Sequence, residues 1–267
     1  MTAAGAGKVR RLFIALPLPE EVRRRLAGEA RTLPERFFRP LKEENLHLTL
    51  AFLGDTPDPA RETVEEVMGE TAAAFAERFP DPVTAEIGGP GAFPHPGSPR
   101  VVWMGLARGA GEAGVLAEAL GKGLRRAGLR FDGKPFAAHI TIAYARRDLP
   151  PGGMTEAGEV FLDFLRRRGA VTRHAGAGGE GGRREARGAG GGGVGRGRSM
   201  DGTGGTEKTG GAVTGHVGAG GMTFPLGEMV LMESELRPGG SVFTPLLRAP
   251  LVRMNPSIRG DGDQSFR

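Results

Sequence analysis

The stretch LHLTLAF at residues 46–52 is nearly repeated as AHITIAY at residues 138–144. Each stretch alternates apolar and polar residues with a period of two, which is typical of a half-buried β-strand. On such a strand a histidine and the threonine two positions later share one face, and the apolar residues share the other. We therefore expect His47 and His139 to meet in one cleft with two threonine hydroxyls. These groups are suited to acid–base chemistry on a phosphate ester without a metal.

Strands and helices alternate along the rest of the chain. The hydropathy pattern predicts strands at 10–16, 46–53, 83–87, 100–106, 138–144, 228–234 and 242–251, helices after residues 17 and 58, around 115–124 and over 156–168, and a turn-rich segment at 88–99. A strand–helix–strand unit occurs twice, each with one histidine strand, which indicates an internal duplication. We expect an α+β fold of two lobes, with antiparallel sheets, helices outside and a central cleft.

The two aromatic residues that end the repeated stretches belong, by the same alternation, to the opposite face from the histidines. Phe52 and Tyr144 each stand five positions after a histidine. Stacking on a terminal base is one use for such rings. Because an odd spacing reverses the face of a strand, we expect both rings in the core instead.

Glycine and proline are concentrated in one segment. The chain of 267 residues contains 47 glycines and 20 prolines, and residues 169–221 hold much of this excess with hardly a large apolar side chain. Such a composition buries too little apolar surface to offset chain entropy. We therefore expect one domain over 8–253, interrupted by a disordered Gly/Arg-rich insertion at 169–221 and followed by a flexible tail at 254–267.

The net positive charge is concentrated in this insertion and the four residues before it. Residues 165–221 contain ten Arg and Lys against four Asp and Glu, whereas the whole chain carries +5, so the remainder is close to −1. A basic, glycine-rich segment can hold RNA loosely by attraction to phosphates, or it can be a linker without a role. The sequence leaves both interpretations open.

The sequence excludes some chemistry and locations. There is no cysteine, so disulfides and thiolate catalysis are absent. The apolar run at 12–16 ends at Pro17, too early for a signal peptide, and no run is long enough to cross a membrane. We expect a cytoplasmic monomer without membrane contact.

The paired histidine motifs resemble the HxTx motifs of the 2H phosphoesterases. Within that superfamily the chain is similar to the RNA 2′,3′-cyclic phosphodiesterases, also called 2′-5′ RNA ligases. Further similar stretches are RLFIA at 11–15, RVVW at 100–103, LMESEL at 231–236 and FTPL at 243–246. The resemblance covers about 10–168 and 222–251, and it implies the two-lobed, duplicated 2H phosphoesterase fold.

The resemblance also implies an activity and a set of roles. The expected reaction is hydrolysis of a 2′,3′-cyclic phosphate at an RNA end to a 2′-phosphomonoester, without metal or other cofactor. Carried over by motif, His47 is the proton donor to the leaving 3′-oxygen and His139 is the base that activates water. Thr49 and Thr141 bind the non-bridging phosphate oxygens.

The chain departs from the family pattern in three places. Ala138 stands where proline often precedes the second histidine. The arginine that commonly follows the second motif is replaced near its place by Tyr144, with Arg146 and Arg147 just beyond, so Arg146 is a tentative substrate-binding residue. The glycine-rich insertion is the third departure.

Other functions remain alternatives at this point. A 2H enzyme of the same fold could act on a nucleotide cyclic phosphate or a 2′-5′ oligonucleotide, and a non-catalytic module could bind RNA. A zinc site would need three or four ligands. His95 lies in a predicted turn without ligand spacing, and His174 and His216 lie in the insertion.

Overall fold

The computed structural model describes residues 8–168, 221–238 and 240–252. The strands are β1 Val9–Pro17, β2 Phe38–Pro40, β3 His47–Pro57, β4 Thr84–His95, β5 Ser98–Arg108, β6 His139–Ala145, β7 Thr223–Pro225, β8 Glu228–Arg237 and β9 Gly240–Pro250, and the helices are α1 Glu20–Arg31, α2 Asp58–Arg78, α3 Ala110–Arg126 and α4 Gly153–Arg167. The fold is α+β, as the sequence predicted.

The nine strands form one antiparallel sheet with two halves. The strand order is β7-β4-β5-β6-β3-β1-β8-β9, and β2 pairs with β6 beside β3. The two histidine strands, β3 and β6, are central neighbours that share a single backbone pair, Leu48 with Ile140. Beyond this pair the sheet divides into two halves, each with one histidine strand, which agrees with the predicted duplication.

The helices cover the outer face of the sheet. Helices α1 and α4 contact β6 and β5 in one half, and α2 contacts β3, β8 and β9 in the other, where α3 packs beside it. The side chains that face these helices from the histidine strands are Leu48, Leu50, Ile140 and Ile142, and all four are buried. The apolar face of each repeated stretch therefore anchors its strand in the core and leaves the other face to the cleft.

The prediction of a turn-rich segment at 88–99 is wrong for residues 88–95, which belong to a strand. Strand β4 continues through Gly88, Gly89 and Pro90 to His95, and it pairs with β5 along this length. Shifts of register on either side of Pro90 accommodate the residues that favoured a turn in the sequence. The short strands β2 and β7 were not predicted, because three residues are too few to show a period.

The predicted insertion at 169–221 lies outside the described residues except for Gly221, and the predicted tail at 254–267 lies outside them altogether. The described chain is anchored on both sides of the insertion. Arg168 pairs with Glu29, and the carbonyl of Met222 accepts a hydrogen bond from the amide of Ile87. None of the four described helices is both long and apolar enough to span a membrane.

Candidate active site

A cavity of about 610 Å³ lies on the open face of the sheet, where β3 and β6 meet. Its wall includes Phe13, Arg39, Lys42, Asn45, His47, Thr49, Phe52, Phe93, Asp132, Lys134, His139, Thr141, Tyr144, Ser241 and Phe243. All four residues of the two predicted motifs therefore line one cavity. The structure thus brings the two histidine strands to the same cleft.

The single backbone pair between the two strands arranges these four residues. Leu48 pairs with Ile140, so His47 and Thr49 flank one member and His139 and Thr141 flank the other. Because the strands are antiparallel, each histidine lies on the same side of the pair as the threonine of the other strand. The two motifs are related by an approximate two-fold axis through this pair.

Each histidine is held by a backbone carbonyl two residues before it. The Nδ1 of His47 lies 2.8 Å from the carbonyl oxygen of Asn45, and the Nδ1 of His139 lies 2.7 Å from that of Ala137. A carbonyl oxygen only accepts hydrogen bonds, so Nδ1 carries the proton in both rings. Both neutral imidazoles therefore present an unprotonated Nε2 as their second nitrogen.

The two motifs differ at this second nitrogen. The Nε2 of His47 lies 3.0 Å from the Oγ1 of Thr49, whose hydroxyl donates to it in the neutral state. Within the described chain, Nε2 of His139 has no hydrogen-bond partner, and neither has the hydroxyl of Thr141. The lone pair of His139 is thus available to a molecule in the cavity, whereas that of His47 is engaged.

Burial favours the neutral form of both histidines. Desolvation lowers the pKa of His47 from 6.5 to about 4, against the hydrogen bond to Asn45, and the charge of His139 lowers it further. Desolvation also lowers the pKa of His139, against its bond to Ala137. An anion bound between the rings would favour the protonated form and raise both values.

Aromatic rings lie close to both histidines. The His47 ring lies 4.8 Å from the ring of Phe13 and 5.3 Å from that of Phe243, between centroids. The His139 ring lies 5.1 Å from Phe93 and 6.2 Å from Trp103. Each imidazole is thereby held between two aromatic side chains as well as by its carbonyl.

A buried asparagine connects the first histidine to the β8–β9 hairpin. Asn45, whose carbonyl accepts from His47, donates through its side-chain amide to the carbonyl of Ser241 at 2.8 Å. Phe243, two residues later, packs edge-on against His47. The sequence analysis missed Asn45 and the aromatic residues around the histidines. Asn45 could have been found in the sequence as a polar residue two positions before the histidine. The aromatic contacts join distant parts of the chain, so no local sequence pattern predicts them.

Matched irregularities bring Phe52 and Tyr144 to the cavity, so the prediction that both rings lie in the core is wrong. On β1, Ile14 and Ala15 pair with residues 51 and 49 of β3, which leaves Leu50 without a partner there. On β5, consecutive residues pair with positions 143 and 141 of β6, which leaves Ile142 without one. Each extra residue is a β-bulge that reverses the alternation.

Arg146, the tentative substrate-binding residue, does not line the cavity. Its guanidinium donates to the Asp148 carboxylate at 3.2 and 3.3 Å. The structure therefore gives no support to this assignment.

His95, at the end of β4, does not line the cavity either. Over the described ranges, no group of three or more His, Asp or Glu side chains is placed to hold a metal ion.

The chain is similar to one protein family and to several individual proteins of that family. The model of the 2'-5' RNA ligase superfamily matches residues 18–168. The chain is 34% identical over 141 residues to the RNA 2',3'-cyclic phosphodiesterase of Archaeoglobus fulgidus, covering 52% of this chain and 75% of that protein. It is 38% identical over 148 residues to the Thermus thermophilus protein of the same name, covering 52% and 71%.

Solved structures show the same fold. A protein of Thermus thermophilus superposes with a TM-score of 0.56 at 26% identity, covering 90% of this chain and 97% of that one. Escherichia coli LigT, crystallised with 3'-AMP, superposes with a TM-score of 0.57 at 21% identity, covering 92% and 100%. The two-lobed α+β fold predicted from the sequence is confirmed by these neighbours.

Proposed function

Because this chain belongs to the 2'-5' RNA ligase superfamily, we propose that it hydrolyses the 2′,3′-cyclic phosphate at an RNA end to a 2′-phosphomonoester. The observation that carries the proposal is the pair of histidines, related by an approximate two-fold axis, that line one cavity and are each held at Nδ1 by a backbone carbonyl. Similarity to proteins named RNA 2',3'-cyclic phosphodiesterase supports the substrate. No metal or cofactor takes part in the proposed reaction.

The reaction needs one proton removed and one supplied on opposite sides of phosphorus. A water oxygen attacks phosphorus while the bond from phosphorus to the 3′-oxygen breaks. His139 accepts the proton of the water through Nε2, and His47 gives a proton to the leaving 3′-oxygen. The product keeps its phosphate on the 2′-oxygen and has a free 3′-hydroxyl. Each such proton transfer contributes on the order of 10²–10⁴-fold in rate.

The difference between the two motifs supports this division of roles. Nε2 of His139 has no partner among the described residues, so its lone pair can accept the proton of the water. His47 must hold a proton to act as the acid, although burial lowers its pKa to about 4 in the free protein. The negative charge of the bound phosphodiester raises this pKa, so substrate binding itself supplies the protonated form.

Thr49 and Thr141 stabilise the charge on the non-bridging oxygens. In the free protein the Thr49 hydroxyl donates to Nε2 of His47. Once that nitrogen is protonated it donates instead, and the hydroxyl proton of Thr49 is free to turn towards the phosphate. Thr141 occupies the equivalent position on the other strand. Its hydroxyl has no hydrogen-bond partner within the described chain, so it can donate to the phosphate without breaking another bond. Hydroxyl donors aimed at developing charge lower the barrier without adding a nucleophile.

Product analysis on three substrates tests the proposal. Purified protein in EDTA would receive an RNA oligonucleotide with a 2′,3′-cyclic phosphate end, a nucleoside 2′,3′-cyclic phosphate and a 2′-5′-linked oligonucleotide. We expect the RNA end to be opened, with the phosphate on the 2′-oxygen. Cleavage of only the 2′-5′ linkage would assign a different phosphoester, and tight RNA binding without turnover would indicate a non-catalytic module.

A further inference from the structure

The wall of the cavity carries more positive charge than one cyclic phosphate needs. Its charged side chains, besides the histidines, are Arg39, Lys42, Lys134 and Asp132. Lys134 pairs with Asp132 at 3.0 Å, which leaves a net +2 on Arg39 and Lys42. Neither of these two cations pairs with a carboxylate among the described residues. A cyclic phosphodiester has a single negative charge, so part of this charge is available for another anion.

Arg39 lies beside the aromatic ring that is open to the cavity. On the short strand β2, Arg39 is the direct cross-strand neighbour of Tyr144 on β6. Directly opposite residues of antiparallel strands share a face, and both residues line the cavity. The charge of Arg39 acts on the Tyr144 hydroxyl, where it opposes the rise in pKa that burial causes. A cation and an aromatic ring thus form one continuous surface.

Of the two rings brought to the cavity by the bulges, Tyr144 is the one available for stacking. The Phe52 ring is already stacked on Phe13, with centroids 6.0 Å apart, and the Arg11 guanidinium lies 5.0 Å from its centre. Tyr144 is 41% exposed, and it is the only exposed aromatic residue in the described part of the chain. An open aromatic ring beside a cation suits a nucleobase and its phosphate.

This surface lies beyond the threonine rather than beside the reacting phosphorus. Tyr144 is three residues after Thr141 on β6, a separation of roughly 7–10 Å at a rise of about 3.3 Å per residue. The non-bridging oxygens of the cyclic phosphate already have Thr49 and Thr141 as proposed donors. Arg39 and Tyr144 therefore face the part of the substrate that extends away from the cyclic end.

We propose that Arg39 and Tyr144 form a subsite for the nucleotide that precedes the cyclic phosphate. Arg39 pairs with the phosphodiester that joins this nucleotide to the terminal one, and the ring of Tyr144 stacks on its base. The inference rests on the proposed function and adds a preference for RNA ends over cyclic mononucleotides.

The test compares a dinucleotide that ends in a 2′,3′-cyclic phosphate with the corresponding nucleoside 2′,3′-cyclic phosphate. The readout is the ratio of the two kcat/KM values, dinucleotide over mononucleotide. We expect Arg39→Gln to lower this ratio about tenfold, because a charge-assisted hydrogen bond is lost. Tyr144→Ala should lower it by a similar factor through lost stacking, whereas Tyr144→Phe, which keeps the ring, should retain most of it.

Two controls separate the subsite from a general effect of charge. Arg36→Gln removes the same charge outside the cavity, where the guanidinium lies over Phe37, and its ratio should match wild type. A dinucleotide whose first nucleotide lacks a base should lose its dependence on Tyr144 and keep its dependence on Arg39. A wild-type ratio near one, or equal ratios for Arg39→Gln and Arg36→Gln, would overturn the subsite alone. Failure of the wild type to open either substrate would overturn the proposed function as well.

Discussion

Leu48 and Ile140 form the one backbone pair that joins β3 to β6 in the described part of the chain. Each of them follows a catalytic histidine candidate and precedes a threonine, and both are fully buried under the helices. Because side chains alternate along a strand, burying these two residues turns His47, Thr49, His139 and Thr141 to the opposite, open face. One buried apolar pair therefore fixes the symmetric placement of all four groups.

The pH dependence of the reaction should reflect the lowered pKa values of the pair. Burial lowers the pKa of His47 to about 4 and also lowers that of His139. One ring must be protonated and the other neutral, so kcat/KM should be bell-shaped, with an optimum below the ordinary histidine value of about 6.5. The phosphate charge raises both values in the complex, so the optimum of kcat should lie at higher pH.

Initial rates from about pH 4.5 to 9 in EDTA, fitted separately for kcat and kcat/KM, would measure both optima. The two pKa values fitted to each pH profile describe the pair of histidines and not either ring alone. A flat profile, or a kcat optimum more acidic than that of kcat/KM, is incompatible with the histidines as proton carriers.

The two threonines should respond differently to loss of the hydroxyl. Thr141→Val removes a proposed phosphate donor, which should cost about 1–3 kcal/mol in kcat/KM, roughly 5- to 150-fold. Thr49→Val should have this effect and should also lower the pKa of His47, because the hydroxyl accepts a stronger hydrogen bond from the protonated Nε2 than it donates to the neutral one. The kcat/KM optimum should therefore move to lower pH for Thr49→Val only.

Thr49→Ser and Thr141→Ser keep the hydroxyl and are the matched controls. Both should stay within a few-fold of wild type in kcat/KM. If the valine variants equal the serine variants, the threonines do not bind the phosphate.

Trp103 lies over a glycine of the neighbouring strand, and this contact supports His139. Gly91 pairs with Trp103 across β4 and β5, and a Cβ at Gly91 would collide with the indole ring. Gly91→Ala should therefore displace the ring and lower the free energy of unfolding by about 1–3 kcal/mol. Since the indole packs beside His139, kcat should fall as well.

Gly28→Ala, in α1, is the control for this substitution. A Cβ at Gly28 meets no atom within 4 Å, and alanine in a helix interior is favoured by up to about 1 kcal/mol. Urea unfolding of both variants, with kcat measured in parallel, gives the comparison. Equal stability of Gly91→Ala and wild type would mean that the strands adjust at no cost.

Much of this site follows from the sequence, but only where the period of two is unbroken. The alternation correctly separated His47 and Thr49 from Leu48, and the same holds on the second strand. The alternation failed at Phe52 and Tyr144, because Leu50 and Ile142 form β-bulges. The residue type of Leu or Ile does not indicate a bulge. The register of the neighbouring strands, which a single sequence does not contain, decides these positions.

The remaining residues of the site come from distant parts of the chain. Arg39 belongs to a three-residue strand without a visible period, and Phe243 reaches His47 from the β8–β9 hairpin. Their approach depends on how the sheet closes around the cavity, which is a property of tertiary packing.

The insertion at 169–221, with its predicted disorder, remains a proposal that deletion can test. The folded body has its own anchors on both sides, at Arg168 and Met222. Replacing 169–220 with a short Gly/Ser linker should therefore preserve folding and the turnover of cyclic mononucleotides. If the basic residues hold RNA, affinity for a long RNA should fall and its dependence on salt should weaken.

Circular dichroism and RNA titrations at several salt concentrations would measure these outcomes. If RNA affinity depends on salt concentration equally before and after the replacement, the segment is a linker without a role in RNA binding. Loss of folding would show that the segment is part of the packed domain.

The central claim is that two histidines carry out the hydrolysis without a metal, and a double-mutant cycle in the presence of EDTA tests it most directly. The cycle comprises wild type, His47→Ala, His139→Ala and the double variant, with His95→Ala as a control outside the cavity. Wild type and the control should open the RNA 2′,3′-cyclic phosphate at the same rate with and without the chelator. Each single variant should lose on the order of 10²-fold or more in kcat, and the double variant should lose little beyond that, because both groups act on one transition state. Loss of wild-type activity in EDTA, or normal turnover by either single variant, would contradict the account.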